Sequence, residues 1–199
     1  GSYLDEPLAK HLEASRWKEL RAATPRLEEA DARRAKGDAA GALALWREVA
    51  AIPTEHPVVA RAKAGLAGLA TEAEARMVRA GELAASGRAL QGGRELSRVA
   101  RLYAGLDEAQ AARAALDKLE AGKAWKEASR AEKKLVAAEK QVASGKAGPA
   151  AQSLGEWLAK LDQKLDPELR ERGEALVAAA QAADPAAELA GYRARFELD

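Results

Sequence analysis

Apolar residues recur along this chain at intervals of three and four residues, which is the periodicity of amphipathic helices. The pattern is clearest at 37–52, where Ala42, Trp46 and Val49 share one helical face. Gly37 at the start of the stretch predicts a turn, and Pro53 just after it predicts the end of the helix. We therefore expect a helix that is entered from a glycine turn.

Similar signals predict helices along the whole chain. The first covers about 5–22, and Thr24-Pro25 is expected to stop it and to cap a second helix that ends at Gly37. Aspartates suited to helix N-termini recur at Asp107, Asp166 and Asp184. Aromatic residues make up only 4 % of the chain, which argues against an apolar sheet. The pattern predicts an all-α protein of about ten helices.

The glycine turn recurs at Gly87 and Gly145, with residues of matching size at equal distances from each glycine. Small residues stand seven before and five after, and large residues nine after: Ala30, Ala80 and Ala138; Ala42, Gly92 and Ala150; Trp46, Leu96 and Leu154. Gly87 follows Gly37 by 50 residues, whereas Gly145 follows Gly87 by 58 because the chain is longer near 123–130. A unit of one helical hairpin and one further helix, used three times, accounts for this pattern.

The turn and second helix of the hairpin resemble a tetratricopeptide repeat. That family reads Gly-Asp-x-x-x-Ala-Leu-x-x-Tyr/Phe in this part of the repeat, and Gly37-Asp38, Ala42-Leu43 and Trp46 occupy those positions. The resemblance implies an antiparallel helical-hairpin array, a tetratricopeptide-like α-solenoid. We expect one helical-repeat domain over 1–199, divided into an N-terminal helix, three repeats and a C-terminal capping helix: 1–25, 26–71, 72–122, 123–183 and 184–199.

The resemblance also implies a function. Tetratricopeptide-like arrays are scaffolds that bind proteins or peptides, usually on the face lined by the first helix of each hairpin, and they imply no catalytic residue. Hairpins this rich in Ala, Glu and Arg resemble those of bacteria with GC-rich genomes, where they are often joined to another domain. We expect a non-enzymatic interaction scaffold, one module of a larger bacterial protein; the alternative is a structural spacer or a self-association arm.

Composition removes several kinds of chemistry. The chain has no cysteine and two histidines, His11 and His56, too few for a zinc site without help from carboxylates. Pairs of acids at Glu28-Glu29, Glu72/Glu74 and Glu168/Glu171 are expected in first turns of helices, where they offset the helix dipole. We expect no cofactor and no metal. Gly92-Gly93 predicts close helix packing or a local helix defect.

The sequence does not distinguish a cytoplasmic from a periplasmic location. A chain without cysteine suits either, and no apolar run is long enough for a membrane span. Gly1-Ser2 resembles a cloning scar, which suggests a truncated N-terminus. The net charge of +1 gives no general attraction to nucleic acid or to an anionic membrane.

The best candidate for a binding surface is a basic stretch within 123–146, which has seven basic against three acidic residues. Lys126, Arg130, Lys133 and Lys140 fall on nearly one helical face, so the stretch could bind an acidic protein or, as the weaker alternative, nucleic acid. The competing interpretation is a solvated face neutralised by pairs such as Glu127 with Arg130 and Glu132 with Lys133-Lys134. The residues predicted to contact a partner are Arg76, Arg79, Trp125, Lys126, Arg130 and Lys134.

The four tryptophans, Trp17, Trp46, Trp125 and Trp157, mostly fall on apolar stripes, so core packing is the default expectation for each. Trp125 is the one least tied to the repeat, and it is therefore the tryptophan expected to anchor a partner if any does. With Trp125 as the only aromatic residue in the basic stretch, nothing there predicts a stacking platform for nucleic acid.

Overall fold

The computed structural model describes the backbone of residues 5–160 and 166–196, and the side chains of 17–160 and 166–196. These residues form helices and no β-strand, which confirms the all-α prediction. Nine helices lie in this part of the chain: α1 (Asp5–Ala35), α2 (Ala39–Ala50), α3 (Pro57–Ala85), α4 (Ala89–Leu102), α5 (Asp107–Ala121), α6 (Lys123–Ala143), α7 (Ala147–Ala159), α8 (Pro167–Gln181) and α9 (Pro185–Arg195).

Contacts between residues divide the chain into two compact units. The first unit contains Gly1–Val78 and Leu96–Ala114, and the second contains Arg79–Glu95 and Ala115–Asp199. Helices α3, α4 and α5 therefore each contribute residues to both units.

The predicted break at Thr24-Pro25 is wrong, because α1 continues through it. Leu20, Ala23 and Leu27 are all buried, so the packed face keeps its helical spacing across the proline. Pro25 lies on the opposite, exposed side, where solvent can reach the backbone carbonyl that loses its intrahelical partner. Burial of one face therefore outweighs the local helix-breaking preference of an exposed proline.

The helix start predicted from the acids Glu72 and Glu74 is also absent, because α3 is continuous there. At the equivalent place 50 residues later, Gly122 has an extended backbone (ψ 155°) and separates α5 from α6. Glu72 occupies the place of that glycine and accepts hydrogen bonds from the Arg34 and Arg76 guanidinium groups. The acid pairs at Glu28-Glu29 and Glu72/Glu74 are consequently inside helices, contrary to the prediction, whereas Glu168 is in the first turn of α8.

The core of the first unit is built around Trp46 and Tyr103, which are both almost fully buried. The Trp46 ring packs directly against Gly65, where an added Cβ would lie 2.7 Å from the ring. Its Nε1–H donates to Asp31 Oδ1 at 3.2 Å. Burial alone would raise the pKa of Glu72, but the Tyr103 hydroxyl and the Arg34 and Arg76 charges hold that pKa below its ordinary value.

The second unit has a core of small and aliphatic side chains from α4, α6, α7, α8 and α9, together with the aromatic ring of Tyr192. Gly92 and Gly93 are both buried and both allow close packing, as the sequence predicted. A Cβ at Gly92 would lie 2.7 Å from the Ala80 carbonyl oxygen, and one at Gly93 would overlap the ring of Trp125. The two glycines therefore make room for a neighbouring backbone and for an indole ring.

The three predicted glycine turns are confirmed. Gly37, Gly87 and Gly145 have φ values of +84°, +88° and +80°, in the left-handed region that favours glycine. The residue after each glycine donates a backbone hydrogen bond to a carbonyl in the last turn of the preceding helix. The bond from the Arg88 N–H to the Leu83 carbonyl, at 2.9 Å, is an example.

Two of the three aspartates predicted to cap helix N-termini do so in the structure. Asp166 accepts from the Glu168 N–H at 3.0 Å, and Asp184 accepts from the Ala187 N–H at 3.1 Å, so both cap their helices. Asp107 is instead the first residue of α5.

Two glycines near one turn offer a matched test of this backbone requirement. Gly87→Ala forces a left-handed conformation on alanine and is expected to destabilise the protein by about 1 kcal/mol. Gly81→Ala, inside α3 with open space around it, is expected to stabilise by about 0.5–1 kcal/mol. Urea unfolding followed by circular dichroism measures both, and equal effects of the two substitutions would contradict the left-handed turn at Gly87.

Candidate interaction surface

Helix α6 separates its acidic from its basic residues. Its inner face packs in the core of the second unit through Ala128, Ala131, Leu135, Ala138 and Val142. Glu132 and Glu139 lie on the flank of that apolar face, where Glu139 is buried and Glu132 is partly buried. Both carboxylates are therefore turned away from the side of the helix that faces solvent.

The two inward carboxylates meet a buried arginine. Arg172 of α8 is only 2 % exposed, and its guanidinium lies 3.6 Å from Glu139 and 3.8 Å from Glu132. Glu139 also accepts a hydrogen bond of 2.8 Å from the Tyr192 hydroxyl of α9, and Glu132 accepts one of 2.5 Å from Arg94. These five residues form a charge network that ties α6 to its neighbours within the second unit.

Burial changes the acid–base properties of this network. Burial alone would lower the pKa of Arg172, but Tyr192, Glu139 and Glu132 raise it above its ordinary value. Burial also raises the pKa of the Tyr192 hydroxyl to about 12, and the adjacent Glu139 carboxylate raises it as well. Arg172 therefore stays charged and Tyr192 stays neutral near neutral pH. The network thus has a stabilising role and does not take up or release protons there.

The outward face of α6 carries only basic charge along one stripe. Lys126, Arg130, Lys133 and Lys140 are exposed there, and none of them forms an ion pair with any residue that the structure describes. The acids that the competing interpretation assigned to them have other partners: Glu127 pairs with Lys123 at 3.5 Å, and Glu132 pairs inward. We call Lys126, Arg130, Lys133 and Lys140 the α6 basic stripe.

Two features flank the α6 basic stripe. On one side Val136 is 39 % exposed, which is high for a branched apolar side chain in a helix of the core. On the other side the Lys134 ammonium lies over the ring of Trp157, 5.3 Å from its centroid. Lys134 is therefore held by an aromatic ring while the four residues of the stripe remain open to solvent.

The remaining predicted contact residues are placed differently. Arg76 is partly buried in the first unit, where it donates to Glu72, whereas Arg79 is exposed in the second unit. Trp125 is partly buried and packs on the core of the second unit against Gly93. Of the six predicted residues, α6 brings Lys126, Arg130 and Lys134 together on successive turns.

The tryptophan with the greatest exposure is not the expected one. Trp17 is 60 % exposed, so the default expectation of core packing is wrong for this residue. Its ring meets the ring of His56 edge-on, with 6.4 Å between centroids. The side chain of the other histidine, His11, lies outside the described residues.

Sequence reasoning missed the roles of Glu132, Glu139 and Arg172, although a signal was present. Glu132 and Glu139 are seven residues apart with buried Leu135 between them, so they fall on the apolar face. Arg172 lies between Leu169 and Leu176, which are buried as well. Charges of opposite sign on the apolar stripes of two helices point to a buried ion pair.

Neither a cluster of metal ligands nor a membrane-spanning helix is found among the described residues. Among them no three side chains of the His, Asp or Glu type converge as metal ligands. Within the same ranges, no helix combines the length and the apolar character that crossing a bilayer requires.

Comparison of the chain with protein-family models, with curated protein sequences and with solved structures finds no match. Its function is therefore inferred from the geometry of the described residues.

The raised pKa of Tyr192 predicts a specific alkaline sensitivity. Because the hydroxyl is harder to ionise in the folded protein than in the unfolded chain, its contribution is complete below pH 10 and is lost as pH rises towards about 12. We expect up to about 2 kcal/mol of stability to disappear in that window. Urea titrations at several pH values measure it, with Tyr192→Phe as control. Tyr103 is present in both proteins, so its ionisation lowers the stability of both in the same way. If the free energy of unfolding falls equally with pH in the two proteins, the prediction for Tyr192 is wrong.

Proposed function

We propose that this protein is a non-enzymatic helical-hairpin module that binds a protein partner through the α6 basic stripe. The observation that carries the proposal is the separation of charge on α6. Its inward acids form ion pairs with Arg94 and Arg172 and accept a hydrogen bond from Tyr192. Its outward cations have no ion-pair partner among the described residues. A row of unneutralised cations on a rigid helix is suited to attract carboxylates of another molecule.

Charge balance favours a protein over nucleic acid as the partner. The second unit contains equal numbers of basic and acidic residues, so its attraction for anions is local to the stripe. The field of the stripe fades over about 8 Å at physiological ionic strength. A short acidic protein segment can match such a local field, whereas nucleic-acid binding relies on positive charge over a wide surface.

Burial at equivalent positions supports the tetratricopeptide-like interpretation of the hairpins. The small residues Ala30, Ala80 and Ala138 are all buried, and so are the large residues nine positions after each turn glycine. Alanines two positions before each glycine are all exposed. Each hairpin therefore uses the same positions in the same way, which is what an array of related binding units requires.

A second candidate function is a self-association arm. It is favoured by two exposed apolar side chains of the first unit, Trp17 and Val78, which are 60 % and 58 % exposed. Light scattering at several protein concentrations distinguishes the two proposals. The binding module predicts a constant monomer mass, whereas an arm predicts a dimer that Trp17→Ser and Val78→Ser together disperse.

The binding proposal is tested with two matched triple variants. K126E/R130E/K133E reverses the stripe, and K118E/K160E/R193E reverses three exposed cations of the second unit outside α6. We expect proteins rich in acidic segments to be captured by the wild type and the second variant but lost, about tenfold or more, from the first. Capture of the same proteins to the same extent by both variants, with helical content intact, would sink the proposal.

A further inference from the structure

We propose that the segment bound by the α6 basic stripe is an acidic α-helix that lies alongside α6. This inference rests on the proposed function and adds the form and the register of the partner. It is carried by the spacing of the four cations and by the exposed apolar side chain beside them.

The spacing of the stripe matches acids on a second helix better than it matches acids on an extended peptide. Along α6 the cations follow one another after four, three and seven residues, which corresponds to rises of about 6, 4.5 and 10.5 Å. A partner helix with acids at alternating intervals of four and three residues presents carboxylates at the same rises. In an extended peptide the side chains of one face recur about every 6.6 Å, so carboxylates would fit the first interval and miss the second.

The flanks of the stripe suit a helix as well. Val136 lies three residues after Lys133 and four before Lys140, so it shares their side of α6, and it is 39 % exposed. A helix packed alongside α6 would cover this valine with one apolar side chain of its own. On the other flank the Lys134 ammonium lies over the Trp157 ring. The fitting partner is therefore amphipathic, with acids and one apolar residue on its contact face.

Nucleic acid is a poorer match for the same surface. The four stripe positions and Val136 include no aromatic side chain on which a base could stack. Trp125, the aromatic residue nearest in sequence to Lys126, is partly buried and packs against Gly93 on the surface of the core. The stripe thus offers charge and one aliphatic contact, which a protein helix can use and an unpaired base cannot.

The test uses the full chain and two fluorescein-labelled peptides of identical composition. Each has about 18 residues, enough to span the stripe at 1.5 Å per residue. In the first, glutamates alternate at intervals of four and three residues with one leucine on their face, in an alanine–glutamine helix. In the second, the same glutamates stand at every second position. Fluorescence anisotropy gives the affinities from about 0.05 to 0.5 M salt.

We expect the helical-register peptide to bind about tenfold more tightly than the alternating peptide at low salt, since several exposed pairs act together. K126E/R130E/K133E should abolish this preference and K118E/K160E/R193E should keep it. Val136→Asp should weaken the helical peptide selectively.

Each contrary outcome has a distinct meaning. Equal binding of the two peptides, lost in K126E/R130E/K133E, overturns the helical register and leaves the proposed function standing. Tighter binding of a uridine 20-mer than of either peptide, also lost in that variant, overturns both. Binding of neither peptide by the wild type overturns the inference on the partner, and the capture experiment with the two triple variants then decides the proposed function alone.

Discussion

Replacing Arg172 by methionine is expected to destabilise the protein by about 3–5 kcal/mol, the largest effect expected for any single charged residue of the second unit. The guanidinium is buried between Glu139 and Glu132. Its removal leaves Glu139 buried with only the Tyr192 hydroxyl as a partner, and a buried carboxylate without a compensating cation is costly. Urea unfolding followed by circular dichroism should show the loss as a lower midpoint.

A second arginine pair provides the control. Arg195 pairs with Glu171 at 2.5 Å, but both side chains are more than half exposed. Arg195→Met should cost less than about 1 kcal/mol because solvent screens this pair. If Arg172→Met and Arg195→Met lower the free energy of unfolding equally, the buried Arg172 network does not stabilise the second unit more than an exposed ion pair does.

Removing the charge of Glu139 as well should recover much of the lost stability. In R172M/E139Q the amide oxygen can still accept from Tyr192, and no unpaired charge remains in the core. We expect the double variant to be more stable than R172M alone by about 1–3 kcal/mol. A double variant that is less stable than R172M would contradict this account, because it would show that the Glu139 carboxylate stabilises the core even without Arg172.

Gly93→Ala is expected to cost about 1–3 kcal/mol, since it overfills a tightly packed contact. The added methyl group would overlap the Trp125 ring, so the ring or the helix has to move. Gly155→Ala in α7 has open space around it and serves as the control, with an expected gain of up to about 1 kcal/mol. Urea unfolding of both variants measures the difference.

The same pair distinguishes a packed Trp125 from an anchor for a partner. If the indole ring fills the space beside Gly93, then Trp125→Leu should be costly alone and should offset part of the cost of Gly93→Ala. Additive effects of the two substitutions in urea unfolding would show that the ring does not pack there in solution. In that case the sequence-based expectation of an anchoring tryptophan would regain support.

Local signals in the sequence predicted the turns well and the helix breaks less well. The glycines at Gly37, Gly87 and Gly145 need a left-handed backbone, and nothing distant can replace that requirement. A proline or a polar residue inside a helix is different, because its local cost can be offset by packing on the opposite face. Pro25 is the example: the buried spacing of its neighbours continues past it.

The division of charge on α6 could be predicted only in part. Helical spacing places the outward cations on one face, and that step needs the sequence alone. The partners of Glu132 and Glu139 are on α4, α8 and α9, up to 53 residues away in the chain, so their pairing depends on the tertiary fold. The sequence therefore left open whether the acids neutralise the stripe, and the contacts of Arg172 and Arg94 are what leave the stripe basic.

The most direct test of the central proposal is a nuclear magnetic resonance titration of the isotope-labelled full chain with the helical-register acidic peptide. The α6 basic stripe predicts shift changes concentrated at Lys126, Arg130, Lys133 and Lys140 and at Val136, with the exposed cations of α5 and α9 unchanged. It also predicts that the changes disappear in K126E/R130E/K133E. Changes centred on another surface, or none at saturating peptide, would contradict the proposal.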